Sequence, residues 1–156
     1  MSEEMQMIIF DLSSEEFGIE ITQAHEIVKM QDITELPQSS VFIEGIINLR
    51  GEIITIIDLR KRFNLEADVD KDTRIIIADI ENNKAGLIVD SISEVLRISS
   101  DDISEAPSRV AGIEKDYLQG IGKIDERLII LLNLDRLLST DELLELEQLD
   151  EEEVSL

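Results

Sequence analysis

Isoleucine, leucine and valine recur along this chain in short runs whose spacing is that of extended strands. Alternating or continuous apolar stretches predict strands at 6–12 (QMIIFDL), 17–21 (FGIEI), 46–50, 52–57 (EIITII), 74–80 (RIIIADI), 85–90 (AGLIVD), 94–98, 120–124 and 127–133. Several runs are apolar at consecutive positions, which implies burial on both faces. Polar breaks fall at SSEE (13–16), around Pro37, at NLEADVDKDT (64–73), at ENNK (81–84) and across SSDDISEAPSRVAG (99–112). Short strands at this spacing predict small barrels or a sandwich in an all-β class, and not a βαβ sheet.

The pattern also repeats. Residues 7–28 overlay 75–96 without a gap at an offset of 68, matching Ile8 with Ile76, Ile9 with Ile77, Asp11 with Asp79, Gly18 with Gly86 and Glu26 with Glu94. Residues 45–63 overlay 120–138 at an offset of 75, matching Gly45 with Gly120, Ile46 with Ile121, Ile54 with Ile129 and Leu59 with Leu134. The difference in offset is a longer loop in the second half. Two similar β lobes follow, expected at about 13–66 and 67–138, the second with or without the strand at 6–12. Arg50-Gly51 of one lobe faces Asp125-Glu126 of the other, so the Arg-Gly pair reads as something the strand architecture does not require.

From Asp135 the period changes. DRLLSTDELLELEQLDEEE places Leu137, Leu138, Leu144 and Leu149 near helical spacing, with Ser139 or Thr140 set to cap a helix from Asp141 and an acidic tail at 150–153. The segment 139–156 is expected to be that helix and a solvated tail.

Composition narrows the function classes. Isoleucine supplies 26 of 156 residues and aromatics only 3%, so the core is aliphatic and β-branched, which favours strands. The net charge of −22 opposes contact with nucleic acid and with anionic lipid. No cysteine is present, which removes disulfide, zinc-ribbon and thiol chemistry. The longest strictly apolar run, Leu128 to Leu132, is far short of a membrane span, and MSEEMQM lacks the pattern of a signal peptide, so a cytoplasmic protein is expected.

Enzyme chemistry finds little support. The phosphate-loop, dinucleotide, zinc-protease and nucleophile-elbow motifs are missing. His25, the one histidine, has no second histidine or cysteine to share a metal or relay a proton, and reads as a surface or packing residue on a short amphipathic helix. One Tyr and four Phe are too few to line a sugar cleft. Asp68, Asp70 and Asp72 mimic the first ligands of a calcium loop, but Thr73 replaces the turn glycine and a strand follows where a helix belongs. No cofactor, metal or small-molecule substrate is expected, and a small acidic hydrolase is the weakest reading.

Binding is better supported. In GIINLRGEIITIIDLRKRF (45–63), Gly45 and Gly51 permit turns or close approach, Asn48 tolerates unusual backbone geometry, and Arg50 lies between them on a short strand. Its rigid guanidinium fork suits a carboxylate, and Glu26 in HEIV is the candidate. A functional pair beside an apolar patch and an ordinary surface ion pair remain equally open from the residues alone.

At these residues the sequence resembles the CheW family, the coupling proteins of bacterial chemotaxis. The motif runs from Phe42 to Phe63, with support from FGIEITQAHEIV (17–28), GLIVDSISEVLRI (86–98) and YLQGIGKIDERLIILLNLDRLL (117–138). The resemblance implies a non-enzymatic adaptor of two SH3-like five-stranded β-barrels within a single domain over 1–140. It implies two partners, the helical hairpin tip of a methyl-accepting chemotaxis receptor and the regulatory domain of a CheA-type histidine kinase, met in arrays on the inner face of the membrane. By similarity the receptor contact involves Ala24, Glu26, Ile27, Arg50 and Arg74, the last where the family usually has an apolar residue. The kinase contact falls on Ile33, Leu36, Val41, Phe42 and Gly45. A CheW-like scaffold for another kinase pathway stays open. A phosphorylatable adaptor needs a receiver domain of more than ~100 residues, which the sequence after Leu138 does not supply.

Overall fold

In the computed structural model, which describes residues 3–36, 41–66, 69–81, 83–139 and 142, the chain is mostly strand. In order these are β1 (Glu4–Leu12), β2 (Glu15–Glu20), β3 (Ala24–Lys29), β4 (Ile43–Leu49), β5 (Glu52–Asp58), the one-turn helix α1 (Leu59–Arg62), β6 (Arg74–Ile80), β7 (Asn83–Val89) and β8 (Ser91–Ser99). Three two-residue strands follow, β9 (Ile103–Ser104), β10 (Arg109–Val110) and β11 (Ile113–Glu114), then β12 (Leu118–Ile124) and β13 (Arg127–Leu132). The predicted strands all appear, and RIIIADI matches β6 at both ends.

The short amphipathic helix expected to carry His25 is not formed: His25 lies in strand β3, Ala24–Lys29. Ala24, Ile27 and Val28 have helical spacing, but the burial along the segment alternates with period two and the backbone pairs with β6. His25 projects outward, and its Nε2 lies 2.9 Å from Asp79 Oδ1.

The strands form two main sheets. A central lobe orders its strands β3-β6-β7-β5-β4, and a terminal lobe orders them β8-β1-β2-β13-β12-β9. The lobes therefore do not divide near residue 66, which corrects the expected boundaries. Each lobe takes a hairpin from each half of the chain: β4-β5 joins β6-β7, and β1-β2 joins β12-β13. The joints, β5 to β7 and β13 to β2, are both parallel. Reading the orders side by side matches β3 with β8, β6 with β1, β7 with β2, β5 with β13 and β4 with β12, the same correspondence as the sequence overlay.

The core divides the same way. Ile47, Leu49, Ile54, Ile56, Ile75, Ile77 and Ile88 fill the central lobe, while Met7, Ile9, Ile98, Ile129 and Leu131 fill the terminal lobe. A larger third cluster lies between them, including Ile8, Phe10, Leu12, Phe17 and Ile19 from one sheet and Ile57, Ile76, Ala78, Ile80 and Leu87 from the other. Strands contributing to two clusters must be apolar on both faces, which accounts for the continuous runs of isoleucine.

Past β13, Ser139 Oγ accepts from Glu142 N at 3.2 Å and Glu142 Oε1 accepts from Ser139 N at 2.7 Å. This reciprocal pair is a capping box and places the cap at Ser139. The rest of the expected C-terminal helix, Thr140 and the tail at 150–153 lie outside the described residues.

Candidate functional site

Strands β4 and β5 pair Leu49 with Glu52, so Arg50 and Gly51 make a two-residue turn. Both have positive φ, 53° and 88°, the combination that a turn matching the twist of its flanking strands demands. Asn48 Oδ1 accepts from Gly51 N at 2.8 Å and locks the turn. Two expectations are corrected here: Arg50 sits in the turn, not on the strand, and Gly51 is required by the hairpin itself. The side chain of Arg50 is left over from that explanation.

That side chain reaches across to β3. Arg50 Nη2 donates to Glu26 Oε2 at 2.5 Å, with 67% of the arginine side chain exposed. The bond to Glu26 holds the guanidinium in its charged form, with its pKa above the ordinary value. Beside the pair, Ile27 and Ile53 are exposed large apolar side chains. Ala24 is half-buried and packs on the cluster between the lobes, together with Ile21 and Ile92. Arg74 stands apart: it is paired with Lys29, three positions (about 10 Å) along β3 from Glu26. Its Nη1 donates to the carbonyls of Lys71 and Thr73 at 2.8 and 2.9 Å.

Because β3 and β4 are the first and last strands of the central sheet, the Arg50–Glu26 bond joins opposite edges and shows that the sheet curls on itself. A second tie lies further along. Thr34 and Ile46 exchange two backbone hydrogen bonds, each 2.9 Å. Gly45 makes this approach possible: a Cβ there would lie 2.0 Å from the Thr34 carbonyl oxygen, and φ is 144°. Between the two ties, Val28, Met30 and Ile33 pack inward on the central-lobe core.

The residues expected to meet the kinase gather at this second tie, with unequal accessibility. Val41 is 82% exposed, and Ile33 and Leu36 are half-buried. Phe42 is buried under Arg62, whose guanidinium carbon is 5.3 Å from the ring centroid, and Gly45 is buried as well. These last two shape the surface from beneath and do not form it.

The terminal lobe repeats the arrangement. Glu94 and Val95 of β8 stand where Glu26 and Ile27 stand in β3, and Leu128 stands where Ile53 does. Arg127, just past its hairpin turn, reaches Glu94 at 3.3 Å. Gly120 mirrors Gly45, a Cβ there lying 2.8 Å from the Ser104 carbonyl oxygen, and Ser104 pairs with Ile121. The difference is in how firmly the arginine is held. Arg127 also makes two hydrogen bonds to Glu16, at 2.5 and 3.0 Å, and only 34% of its side chain is exposed. Those bonds hold the Glu16 carboxyl below its usual range despite partial burial.

Sequence reading missed one buried cluster. Arg60, 1% exposed, donates to both Asp58 oxygens at 3.0 and 3.1 Å and to Asp90 Oδ1 at 2.9 Å. Asp90 Oδ2 in turn accepts from Ser13 N at 2.7 Å, which carries the network from the central lobe into the β1–β2 turn. Burial opposes the guanidinium charge, but the two aspartates outweigh it and raise its pKa. Asp58 and Arg60 lie within the quoted motif, and their buried roles become visible only once β5 is seen to end against the other lobe.

Among the described residues no three acidic or histidine side chains are placed to hold a metal. Asp70 Oδ1 accepts from Asp72 N at 2.8 Å, and Asp68 lies outside the described residues. No helix among the described residues is long and apolar enough to cross a membrane.

Residues 6–142 match the family model described as a CheW-like domain. The chain belongs to the CheW family. It is 37% identical over 152 residues to the chemotaxis protein CheW of Treponema pallidum, covering 94% of this chain and 89% of that one. The CheW of Klebsiella aerogenes is 35% identical over 139 residues, covering 88% and 84%. Among solved structures, the scaffolding protein TtCheW of Thermoanaerobacter tengcongensis superposes with a TM-score of 0.81 at 42% identity, covering 90% of this chain and 91% of that one. Membership of this CheW family makes the protein a chemotaxis scaffold of two β lobes.

Proposed function

We propose that this protein is a non-enzymatic cytoplasmic adaptor that couples the hairpin tip of a chemoreceptor to the regulatory domain of a CheA-type histidine kinase, within arrays at the inner face of the membrane. The observation that carries the reading is the Arg50–Glu26 pair: a highly exposed arginine on a chain of net charge −22, flanked by exposed Ile27 and Ile53. A helix tip docks on such a surface through a few apolar anchors and one oriented charge. Ala24 and Ile92 continue the apolar character towards the junction of the lobes. Arg74, tied to its own loop, contributes at the margin.

The kinase domain is assigned to the other end of the same lobe, where Val41 is the open anchor and Ile33 and Leu36 are half-exposed. Modest single contacts suffice for such a scaffold, because multivalent arrays multiply them.

Sedimentation velocity tests the assignment, using the full chain with a receptor hairpin fragment and, separately, with the kinase regulatory domain. Arg50→Glu reverses the charge beside Glu26 and is expected to abolish the receptor complex, leave the kinase complex in place and leave the melting temperature unchanged. A receptor complex that survives the reversal removes Arg50 from the interface. Unfolding of the variant assigns the pair to stability alone.

A further inference from the structure

His25, the one histidine of the chain, occupies an irregular point of its strand. In the pairing of β3 with β6, Ala24 stands opposite Ala78 and Glu26 opposite the adjacent residue, Ile77, so His25 is an extra residue on β3. A bulge of this kind re-aims a side chain and is common beside binding surfaces. The imidazole emerges between Ala24 and Glu26, on the same outward row as Ile27, with 43% of its side chain exposed. Its Nε2 is 2.9 Å from Asp79 Oδ1. A carboxylate only accepts, so Nε2 carries a proton, and the neutral ring is left with Nδ1 as an acceptor.

The charges around His25 alternate from strand to strand about one end of the central lobe. Glu26 of β3 holds Arg50, and Glu52 of β5 adds to the field on Arg50 while holding Lys84 of β7 at 3.0 Å. Lys84 stands opposite Asp79 of β6, and Asp79 returns to His25 on β3. Three carboxylates and two cations leave this belt one positive charge short of balance, and His25 is its sixth member. The adjoining helical turn Ile21–Gln23 has no titratable group, and Glu20 before it is engaged by Gln119 at 3.1 Å. An imidazole ordinarily changes charge between about pH 5 and 8. Protonation balances the belt and turns Nδ1 from an acceptor into a donor.

We propose that His25 is a further contact of the receptor-docking surface and acts only with its second proton, reading a partner carboxylate next to the one that Arg50 receives. The adaptor reading supplies the identity of that partner. A neutral His25 offers the carboxylate an acceptor beside a belt of negative excess, whereas the charged ring offers a donor beside a balanced one. Docking therefore takes up a proton and strengthens as pH falls. Linkage makes the effect reciprocal, so that proton and receptor each tighten the binding of the other.

Calorimetric titration of the full chain with a receptor hairpin fragment is expected to show about threefold tighter binding at about pH 6 than at about pH 8, the scale of an exposed charge contact. Repeating it in buffers of different ionisation enthalpy is expected to show net proton uptake. His25→Gln is expected to lose the pH response, and His25→Lys to keep the tighter affinity at both values. The affinity of both variants for the kinase regulatory domain is expected to match that of the native chain, which verifies the fold. A native chain without a pH response, or a response that persists in His25→Gln, overturns the proposal. A second arm uses no partner: in an NMR titration of the native chain, the Arg50 Nε–Hε signal is expected to move with the His25 imidazole at one common midpoint. An Arg50 signal that stays fixed disconnects the belt and removes the ground of the proposal. Failure of the native chain to bind the fragment at either pH refutes the adaptor reading and the contact with it, while the belt stands or falls by the NMR result.

Discussion

At the scale of single residues, the consequential arginines differ in what surrounds them. Arg50 is exposed and held once, whereas Arg60 is buried between Asp58 and Asp90. Removing one member of a buried ionic cluster leaves the others uncompensated, so Arg60→Ala is expected to lower stability by about 3–5 kcal/mol in urea titration. A loss below 1 kcal/mol shows that water reaches the aspartates. The sequence made Arg50 and Glu26 legible as partners because a solitary arginine in an acidic chain finds a carboxylate wherever it reaches. It did not reveal that Phe42 and Gly45 are buried, since an aromatic or a glycine beside a turn reads alike whether it faces solvent or supports the surface from below. Ile53 was missed for the opposite reason: in a run such as EIITII nothing marks which isoleucine faces out.

Among elements, β7 is packed more tightly than its counterpart β2. A Cβ at Gly86 in β7 would lie 2.5 Å from Ile56 Cδ1 and 2.8 Å from Ile75 Cγ2, whereas at the corresponding Gly18 in β2 the nearest atoms are 3.1 Å away. Gly86→Ala is therefore expected to cost about 1–3 kcal/mol and Gly18→Ala distinctly less, by thermal melts of the two variants. Equal losses indicate that the central lobe relaxes as freely as its counterpart. Most strands were legible because β-branched runs bounded by polar turns have few alternatives. Strand β3 was not, because its apolar residues satisfy a helical spacing as well as a strand edge, and only pairing with β6 decides between them. The repeat was legible too, but similarity between two hairpins does not say which of two like partners each one joins. Both arrangements bury the same side chains, so the crossed assembly of the lobes appears only in the structure.

In the whole molecule, that crossing makes each lobe depend on both halves of the chain, and the large cluster between the sheets binds them further. Calorimetry is expected to show one unfolding transition, with calorimetric and van't Hoff enthalpies equal. Two separable transitions mean that one lobe survives the loss of the other. The same topology also orders assembly during synthesis. Strands of the central lobe all lie between Ala24 and Val89, so that lobe has its full set of strands as soon as Val89 clears the ribosome. The hairpin of β1 and β2, made first, pairs with β13 along its free edge and with β8 on the other side. The earliest strands to emerge are among the last to be enclosed, and for most of translation the nascent chain carries an Ile- and Phe-rich edge that a ribosome-associated chaperone is suited to cover.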